Sequence, residues 1–309
     1  MDPRRNKWLA ASLVALLLLS AGLAWISREE EKPVVERDAF AIIETEKVNR
    51  VTMARATDTV NLVYDGTRWT ANGKDADVQM VKVLMATLRQ AEPHRPVAAR
   101  VVDTVRAQLG RRGTRVTVQQ NDGTTLSFTA GGNRGKTEAW FMKAGEPQPY
   151  IMIIPGYRVY VSGIFELDAS GWRNKRIFDF NWRNFKSLTA TYPKEPASGF
   201  TVEMKQRYFG IRGLDPVDTT KLNDYLDAVS LLMANRFVAG SGTPELGEPV
   251  ARIHILDIAD RSYSLELFAP AGQDPEAFGR LADGQVVAFD RSDIAAIVRR
   301  KGWFVPGRE

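Results

Sequence analysis

The glycine-rich stretch at residues 130–137 reads AGGNRGKT and nearly matches the phosphate-binding pattern G-x-x-x-x-G-K-[ST]. Ala130 stands where that pattern has its first glycine. The pattern also needs a helix directly after the lysine, because backbone N–H groups and the helix dipole must face the phosphates. Residues 138–142 instead have the character of a strand, and Gly145 and Pro147 follow them. We therefore interpret the stretch as a flexible hairpin loop, with nucleotide binding as the alternative.

The histidines and the absence of cysteine give metal or thiol chemistry no support. His94 and His254 form no H-x-H or H-x-x-x-H pair, and the chain contains no cysteine. Zinc sites use clusters of such residues, and thiol chemistry needs a cysteine. The sequence therefore predicts no metal and no cofactor.

Two close carboxylate pairs could run acid–base chemistry if they faced a cleft. They are Glu166 with Asp168 and Asp257 with Asp260. Most such pairs only solvate a surface, and no G-x-S-x-G nucleophile motif is present. We expect no catalytic residue and predict that the protein is not an enzyme. A Ser-His-Asp arrangement or a glycan hydrolase stays open as an alternative.

Basic residues cluster at two places. Four arginines surround a predicted helix end at Leu109 and Gly110, where cations stabilise the helix dipole: Arg106, Arg111, Arg112 and Arg115. A second cluster mixes cations with tryptophan, as partner-binding surfaces do: Trp172, Arg173, Lys175, Arg176, Trp182 and Arg183. The alternative for this second cluster is rings in a core with cations on its solvated rim.

The N-terminal segment from Trp8 to Ile26 contains nineteen residues and no charge. A helix of that length covers roughly 30 Å, which is the thickness of the hydrocarbon core of a bilayer. Arg4, Arg5 and Lys7 precede it, so the positive-inside rule places the N-terminus in the cytoplasm. A cleaved signal peptide is the alternative, but this run is longer than a signal core and ends in bulky residues.

This segment sets the predicted domain organisation. Residues 1–7 form a cytoplasmic N-terminus, 8–26 a transmembrane helix, 27–38 a linker, 39–184 a first repeat unit and 185–309 a second. The predicted location is the bacterial inner membrane, with a single pass and the bulk of the chain in the periplasm. Nucleic acid is not an expected partner, because the net charge of +5 is spread along the chain and the body is exported.

An internal duplication organises the body. Asp77 precedes an amphipathic helix with Val81, Leu84 and Leu88 at helical spacing, and Asp218 precedes a second helix 141 residues later. Alternating strands around turns follow both helices, at Asn121-Asp122-Gly123 and near Asp260. We predict an α+β fold with two tandem, mainly antiparallel β-β-α-β-β repeats, and a last helix over residues 292–300.

The aromatic-rich segment between the two predicted repeat units contains two short motifs that resemble those of a known family. Residues 154–157 read IPGY and residues 172–178 read WRNKRIF, and a fresh repeat follows. Together they resemble the family called domain of unknown function 4340, over roughly residues 40 to 240. The resemblance implies an N-terminal anchor, repeated units and an accessory role in the envelope beside ABC transporters of the gliding-motility type. It assigns no activity and no functional residues.

We therefore expect a membrane-anchored extracytoplasmic scaffold protein without catalysis, working with an ABC transporter or another envelope complex. A membrane-anchored glycan hydrolase or glycan-binding protein is the alternative.

Overall fold

The computed structural model describes Leu16, Ser20 and residues 36–178, 180, 182–205, 208–238, 244–270 and 275–307. Leu16 and Ser20 are helical, but the rest of the predicted transmembrane helix at 8–26 lies outside these residues. So do the predicted cytoplasmic segment 1–7 and most of the linker 27–38. Within the described ranges, no helix has the length and apolar character to cross a bilayer.

The described chain is α+β and consists mostly of two antiparallel sheets. The first sheet has nine strands in the order β4-β3-β2-β1-β6-β7-β8-β9-β5. They are β1 (Val48–Ala54), β2 (Thr59–Tyr64), β3 (Trp69–Ala71), β4 (Lys74–Asp75), β5 (Glu92–Pro96), β6 (Thr114–Gln120), β7 (Thr125–Gly132), β8 (Ala139–Lys143) and β9 (Pro149–Ile153). The register of β6 and β7 pairs Val116 with Phe128.

The second sheet has eight strands in the order β12-β11-β10-β14-β15-β16-β17-β13. They are β10 (Phe185–Thr191), β11 (Phe200–Lys205), β12 (Tyr208–Ile211), β13 (Arg236–Val238), β14 (Ala251–Asp257), β15 (Ser262–Leu267), β16 (Glu276–Leu281) and β17 (Val286–Asp290). Apart from the added strand β4, both sheets follow the same path. In each sheet the first three strands follow one another from the middle of the sheet toward one edge. A helix then leads to a strand at the opposite edge, and the last four strands lie between that edge strand and the first strand.

Within the two sheet-containing units, the described residues form five α-helices that connect or cover these strands. They are α1 (Val78–Gln90), α2 (Ala99–Arg112), α3 (Ala169–Trp172), α4 (Thr219–Ser230) and α5 (Arg291–Ile297). Short 3-10 helices lie at Thr45–Lys47, Val161–Glu166, Trp182–Asn184, Pro196–Ser198 and Lys301–Phe304. The predicted last helix at 292–300 is therefore shorter than expected, since the helix ends at Ile297 and a 3-10 turn follows.

The predicted helix starts are confirmed. The Asp77 carboxylate accepts the backbone N–H of Gln79 at 2.7 Å, and the Asp218 carboxylate accepts the N–H of Lys221 at 3.1 Å. Each aspartate thus satisfies a backbone donor that has no partner within the helix. The apolar residues predicted from helical spacing, Val81, Leu84 and Leu88 in the first helix, are buried, whereas Val78 and Val83 of that helix are exposed. In the second helix Leu222, Tyr225, Leu226 and Val229 are buried.

The described residues divide into two compact units. One contains the described residues up to Thr57 together with Val83–Glu166, and the other contains Asp58–Lys82 together with those from Leu167 onward.

The first unit has an aromatic core. The rings of Phe128 and Phe141 stack with centroids 4.7 Å apart, and Phe165 meets both edge-on at 5.6 Å. Such pairs add stability beyond the apolar area that they bury. This core anchors the 3-10 helix Val161–Glu166, which carries part of the candidate site.

The second unit has a core built from its sheet, from α4 and from residues near the end of the chain. Leu188 and Ile255 belong to the sheet, Leu222 and Val229 to α4, and Phe304 to the last 3-10 turn, and all five are buried. The last turns of the chain are thus part of this core.

Candidate functional site: a basic pocket beside helix α2

A pocket of about 410 Å³ lies within the first unit. The pocket is lined by the end of α2, the first residue of β6, the end of β7 and the loop after β7. Arg55, Tyr160 and Glu166 complete the lining. Small-molecule sites typically occupy roughly 300–1,000 Å³, so the pocket has room for a small ligand.

Three glycines allow these elements to approach one another. A Cβ on Gly132 would lie 2.4 Å from the carbonyl oxygen of Glu138 and 2.4 Å from the ring of Tyr160. A Cβ on Gly113 would lie 2.4 Å from the carbonyl oxygen of Leu109, and one on Gly131 would meet the Leu109 side chain at 2.8 Å. Gly132 is therefore needed for packing, because a side chain there would collide with the backbone, whereas a Cβ on Gly131 would meet the end of the Leu109 side chain.

Residues 133–138 form a hairpin loop, as predicted for the glycine-rich stretch, but residues 130–132 of that stretch belong to strand β7. Strand β7 pairs with β8 on either side of this loop, and no helix follows the lysine. The Asn133 carboxamide fixes the loop, because its oxygen accepts the backbone N–H groups of Thr137 at 2.8 Å and Glu138 at 3.1 Å. The helix N-terminus that a phosphate-binding loop requires is therefore missing at this place.

The pocket is strongly basic. Arg55, Arg112, Arg134 and Lys136 line it against one carboxylate, Glu166, which gives a formal charge of +3. The Lys136 Nζ atom lies 3.0 Å from Glu166 Oε2, and Arg55 donates to the Glu166 backbone carbonyl. The side chains of Arg112 and Arg134 make no hydrogen bond or ion pair with any residue that the structure describes. Two guanidinium groups at the pocket therefore keep their hydrogen-bonding capacity.

Tyr160 and Glu166 form a polar pair in the lining, beside Lys136 and Arg55. The Tyr160 hydroxyl donates to Glu166 Oε1 at 2.5 Å. Burial of Tyr160 raises the pKa of its phenol, and the hydrogen bond to Glu166 and the charge of that carboxylate raise it further. Tyr160 therefore stays a neutral hydroxyl at physiological pH.

Thr114 adds a buried polar group to the lining. Its side chain is 1% exposed, and its hydroxyl has no hydrogen-bond partner among the described residues. Leaving a hydroxyl unsatisfied costs about 1–3 kcal/mol, so such groups are uncommon without a bound molecule or a functional reason. Nearby, the Gln108 carboxamide donates to the Gly132 carbonyl at 3.1 Å.

The predicted partner-binding residues lie in the second unit. Trp172 is completely buried, so it is a core residue and presents no surface to a partner. The Arg173 guanidinium lies 3.6 Å from the centroid of the Phe237 ring and donates to Gln285 at 3.3 Å. Burial lowers the pKa of Arg173. Lys175 donates to the Asn235 carbonyl at 2.8 Å.

The other members of that cluster differ in exposure. Arg176 and Arg183 are exposed, and the side chain of Trp182 lies outside the described part of the structure. Stacked or hydrogen-bonded groups such as Arg173 have a structural role that explains their presence. Partner binding by the cluster stays a prediction, and Arg176 and Arg183 are its exposed members in the described part of the structure.

The carboxylates of the two sequence pairs have structural partners. Asp168 accepts the backbone N–H of Gly171 at 2.7 Å at the start of α3, and Asp260 pairs with Lys186 at 2.8 Å. Asp257 is buried and accepts from the Arg261 side chain at 2.7 Å. Burial acts to raise its pKa, but hydrogen bonds from Arg261 outweigh that effect and the pKa of Asp257 is lowered.

The histidines are exposed on separate strands, His94 on β5 and His254 on β14. Within the ranges that the structure describes, no three His, Asp or Glu side chains come together in a way that could hold a metal ion.

The sequence marks several pocket residues, but as three unrelated features: the glycine-rich loop, Arg112 at a helix end and Glu166 in a carboxylate pair. No sequence pattern marks Tyr160 or Arg55. The spacing of these residues along the chain does not predict their proximity, because it is the folded sheet and the 3-10 helix Val161–Glu166 that place them side by side.

Comparisons with known proteins gave one match. The model of the family described as domain of unknown function (DUF4340) matches residues 68–249, which is more than half of the chain. No curated protein matches the chain, and no solved structure matches it.

Proposed function

Since the chain belongs to the DUF4340 family, whose description names no function, we propose a role from the chain's own residues. The protein is a membrane-anchored accessory or scaffold protein of the bacterial cell envelope, with no catalysis of its own. One N-terminal helix anchors it in the inner membrane, and its body lies in the periplasm. There it works with an ABC transporter or another envelope complex.

The observation that carries this proposal is the uncharged run from Trp8 to Ile26. Such a run is long enough for a bilayer and too apolar to stay in water. The basic residues before it favour a cytoplasmic N-terminus, and export of the body then follows from the positive-inside rule. Trp8 and Trp25 stand where interfacial aromatic residues are enriched.

The body suits binding better than catalysis. Two sheets with the same strand order apart from β4 support a duplicated unit, which is larger than the predicted β-β-α-β-β repeat. Duplicated sheets offer repeated edges and faces for partners. The exposed arginines Arg176 and Arg183 favour contact with a partner of opposite charge.

The test is recovery of the partner by the full-length protein. A C-terminally tagged protein is purified in mild detergent after cross-linking in cells, and co-purified proteins are identified by mass spectrometry. We expect a transporter subunit or another envelope protein, with recovery lowered by Arg176→Glu. Lys194→Glu is the matched control, because Lys194 is also exposed in the second unit but lies outside the cluster. Repeated recovery of no membrane partner would count against the proposal.

A glycan-binding role is the second candidate, and the pocket favours it over glycan hydrolysis. Glycosidases generally use two carboxyl groups on opposite sides of the scissile bond. Glu166 is the one carboxylate in the described lining of the pocket, and Lys136 pairs with it. Glycan hydrolysis would be supported if the wild type released reducing ends from envelope polysaccharide and Glu166→Gln did not.

A further inference from the structure

We propose that the basic pocket of the first unit binds a phosphate monoester group. The group belongs either to a soluble phosphorylated molecule or to the headgroup of a lipid. This site goes beyond the scaffold role, and its existence does not depend on which side of the membrane the body occupies.

Charge is the first argument. The lining has a formal charge of +3, and Arg112 and Arg134 have no partner among the described residues. A guanidinium group presents several N–H donors in a planar fork that fits phosphate oxygens. A phosphate monoester has a charge near −2 at neutral pH, so it matches this lining better than a single carboxylate does.

The carboxylate of the lining is the second argument. The Tyr160 hydroxyl and the Glu166 carboxylate both line the pocket, and the hydroxyl donates to the carboxylate. A carboxylate repels phosphate but accepts hydrogen bonds from hydroxyl groups. The ligand is therefore expected to carry hydroxyls beside its phosphate, as sugar and polyol phosphates do.

The backbone excludes the usual mode of nucleotide binding. Lys136 belongs to a hairpin loop, and strand β8 follows it. No helix dipole then points at the phosphate from this loop, and recognition depends on side chains. Affinity should consequently fall as salt is added, because exposed charges are screened.

The experiment is isothermal titration calorimetry on the full-length protein in a neutral detergent. The probes are inorganic phosphate, glucose 6-phosphate and short-chain phosphatidylglycerol phosphate, with glucose as the uncharged control. Saturable binding of a phosphate probe and none of glucose is expected. The tighter of glucose 6-phosphate and the lipid identifies the source of the group, and either result supports the proposal.

Variants separate a built site from general charge. Arg112→Gln and Arg134→Gln should each weaken binding by about tenfold to a hundredfold, the range for loss of one charge-assisted hydrogen bond. Arg111→Gln is the control, because Arg111 directly precedes Arg112 in α2 and carries the same charge but does not line the pocket. This variant should change affinity less than about threefold. Circular dichroism confirms that each variant is folded.

Two outcomes would overturn the proposal. One is the absence of saturable binding for all three phosphate probes into the millimolar range. The other is equal weakening by Arg111→Gln and Arg112→Gln, since that would reduce binding to the overall charge of the helix end. Neither outcome bears on membrane topology or on partner recovery, so the scaffold role is tested separately.

Discussion

Replacement of Gly132 by alanine tests how the pocket is built. The new Cβ would lie 2.4 Å from the Glu138 carbonyl oxygen, 2.4 Å from Tyr160 Cε2 and 2.5 Å from its hydroxyl oxygen. Optimal contact is about 3.5–4.0 Å, so the strands or the ring must move by about 1 Å. The Gly132 backbone has no positive φ, so the cost is steric. Overpacking of this kind costs about 1–3 kcal/mol.

The assay is hydrogen exchange of the full-length protein in detergent across a urea series, followed by mass spectrometry on peptides from β7 and β8. These peptides report the first unit alone. Two other glycines of the same segment provide a graded comparison. Gly131→Ala should cost less, because its Cβ meets the movable end of the Leu109 side chain at 2.8 Å. Gly135→Ala should be close to neutral, because its nearest neighbour lies 3.9 Å away.

The expected order of destabilisation is therefore Gly132→Ala, then Gly131→Ala, then Gly135→Ala. Displacement of the Tyr160 ring should also break its hydrogen bond to Glu166. Equal effects of Gly132→Ala and Gly135→Ala would refute the reasoning, since they would show that the two strands and Tyr160 are not packed as closely as described.

Three further predictions concern single groups. Tyr225 is completely buried and its hydroxyl has no described partner, so Tyr225→Phe should be neutral or stabilise the second unit by about 1–3 kcal/mol in a urea titration. A loss of stability would reveal a partner for that hydroxyl. Hydrogen bonds hold the pKa of Asp257 below its unfolded value of about 3.9. Its contribution to stability is therefore complete above that pH and disappears as the pH falls through the lower folded value. Asp257→Asn should reduce stability at neutral pH and flatten this acid-side loss; an unchanged acid profile would contradict the assignment. Glu166→Gln should lower the pKa of Tyr160, seen as phenolate absorbance at lower pH than in the wild type, with Tyr160→Phe identifying the signal. No change would mean that burial alone sets this pKa.

Local chemistry made parts of the fold predictable. Asp77 and Asp218 mark helix starts because a carboxylate accepts free N–H groups there, and the following apolar residues repeat at helical spacing. The turn at Gly123 and the turn at Asp260 both have positive φ, which their residue types tolerate. These elements depend on neighbouring residues, and a single sequence contains that information.

The full set of strands in each repeat and the pocket could not be predicted from neighbouring residues in this way. The predicted unit has four strands, whereas each sheet also contains a third strand before the helix, an edge strand such as β13 after it and two more hairpin strands. Strand β13 has three residues, too few for an alternating pattern to be visible. The pocket joins Arg55, Arg112 and Tyr160, whose proximity depends on strand order and on glycine contacts across the sheet. Such long-range contacts leave no local pattern in the residues.

The central claim is that the body of the chain lies outside the cytoplasm, and reporter fusions test it directly. Alkaline phosphatase and a green fluorescent protein are fused in turn to the C-terminus of the full-length chain in bacteria. Alkaline phosphatase is active after export, and the fluorescent protein folds in the cytoplasm. We predict high phosphatase activity with no fluorescence, in the membrane fraction. A fluorescent fusion without phosphatase activity would contradict the account.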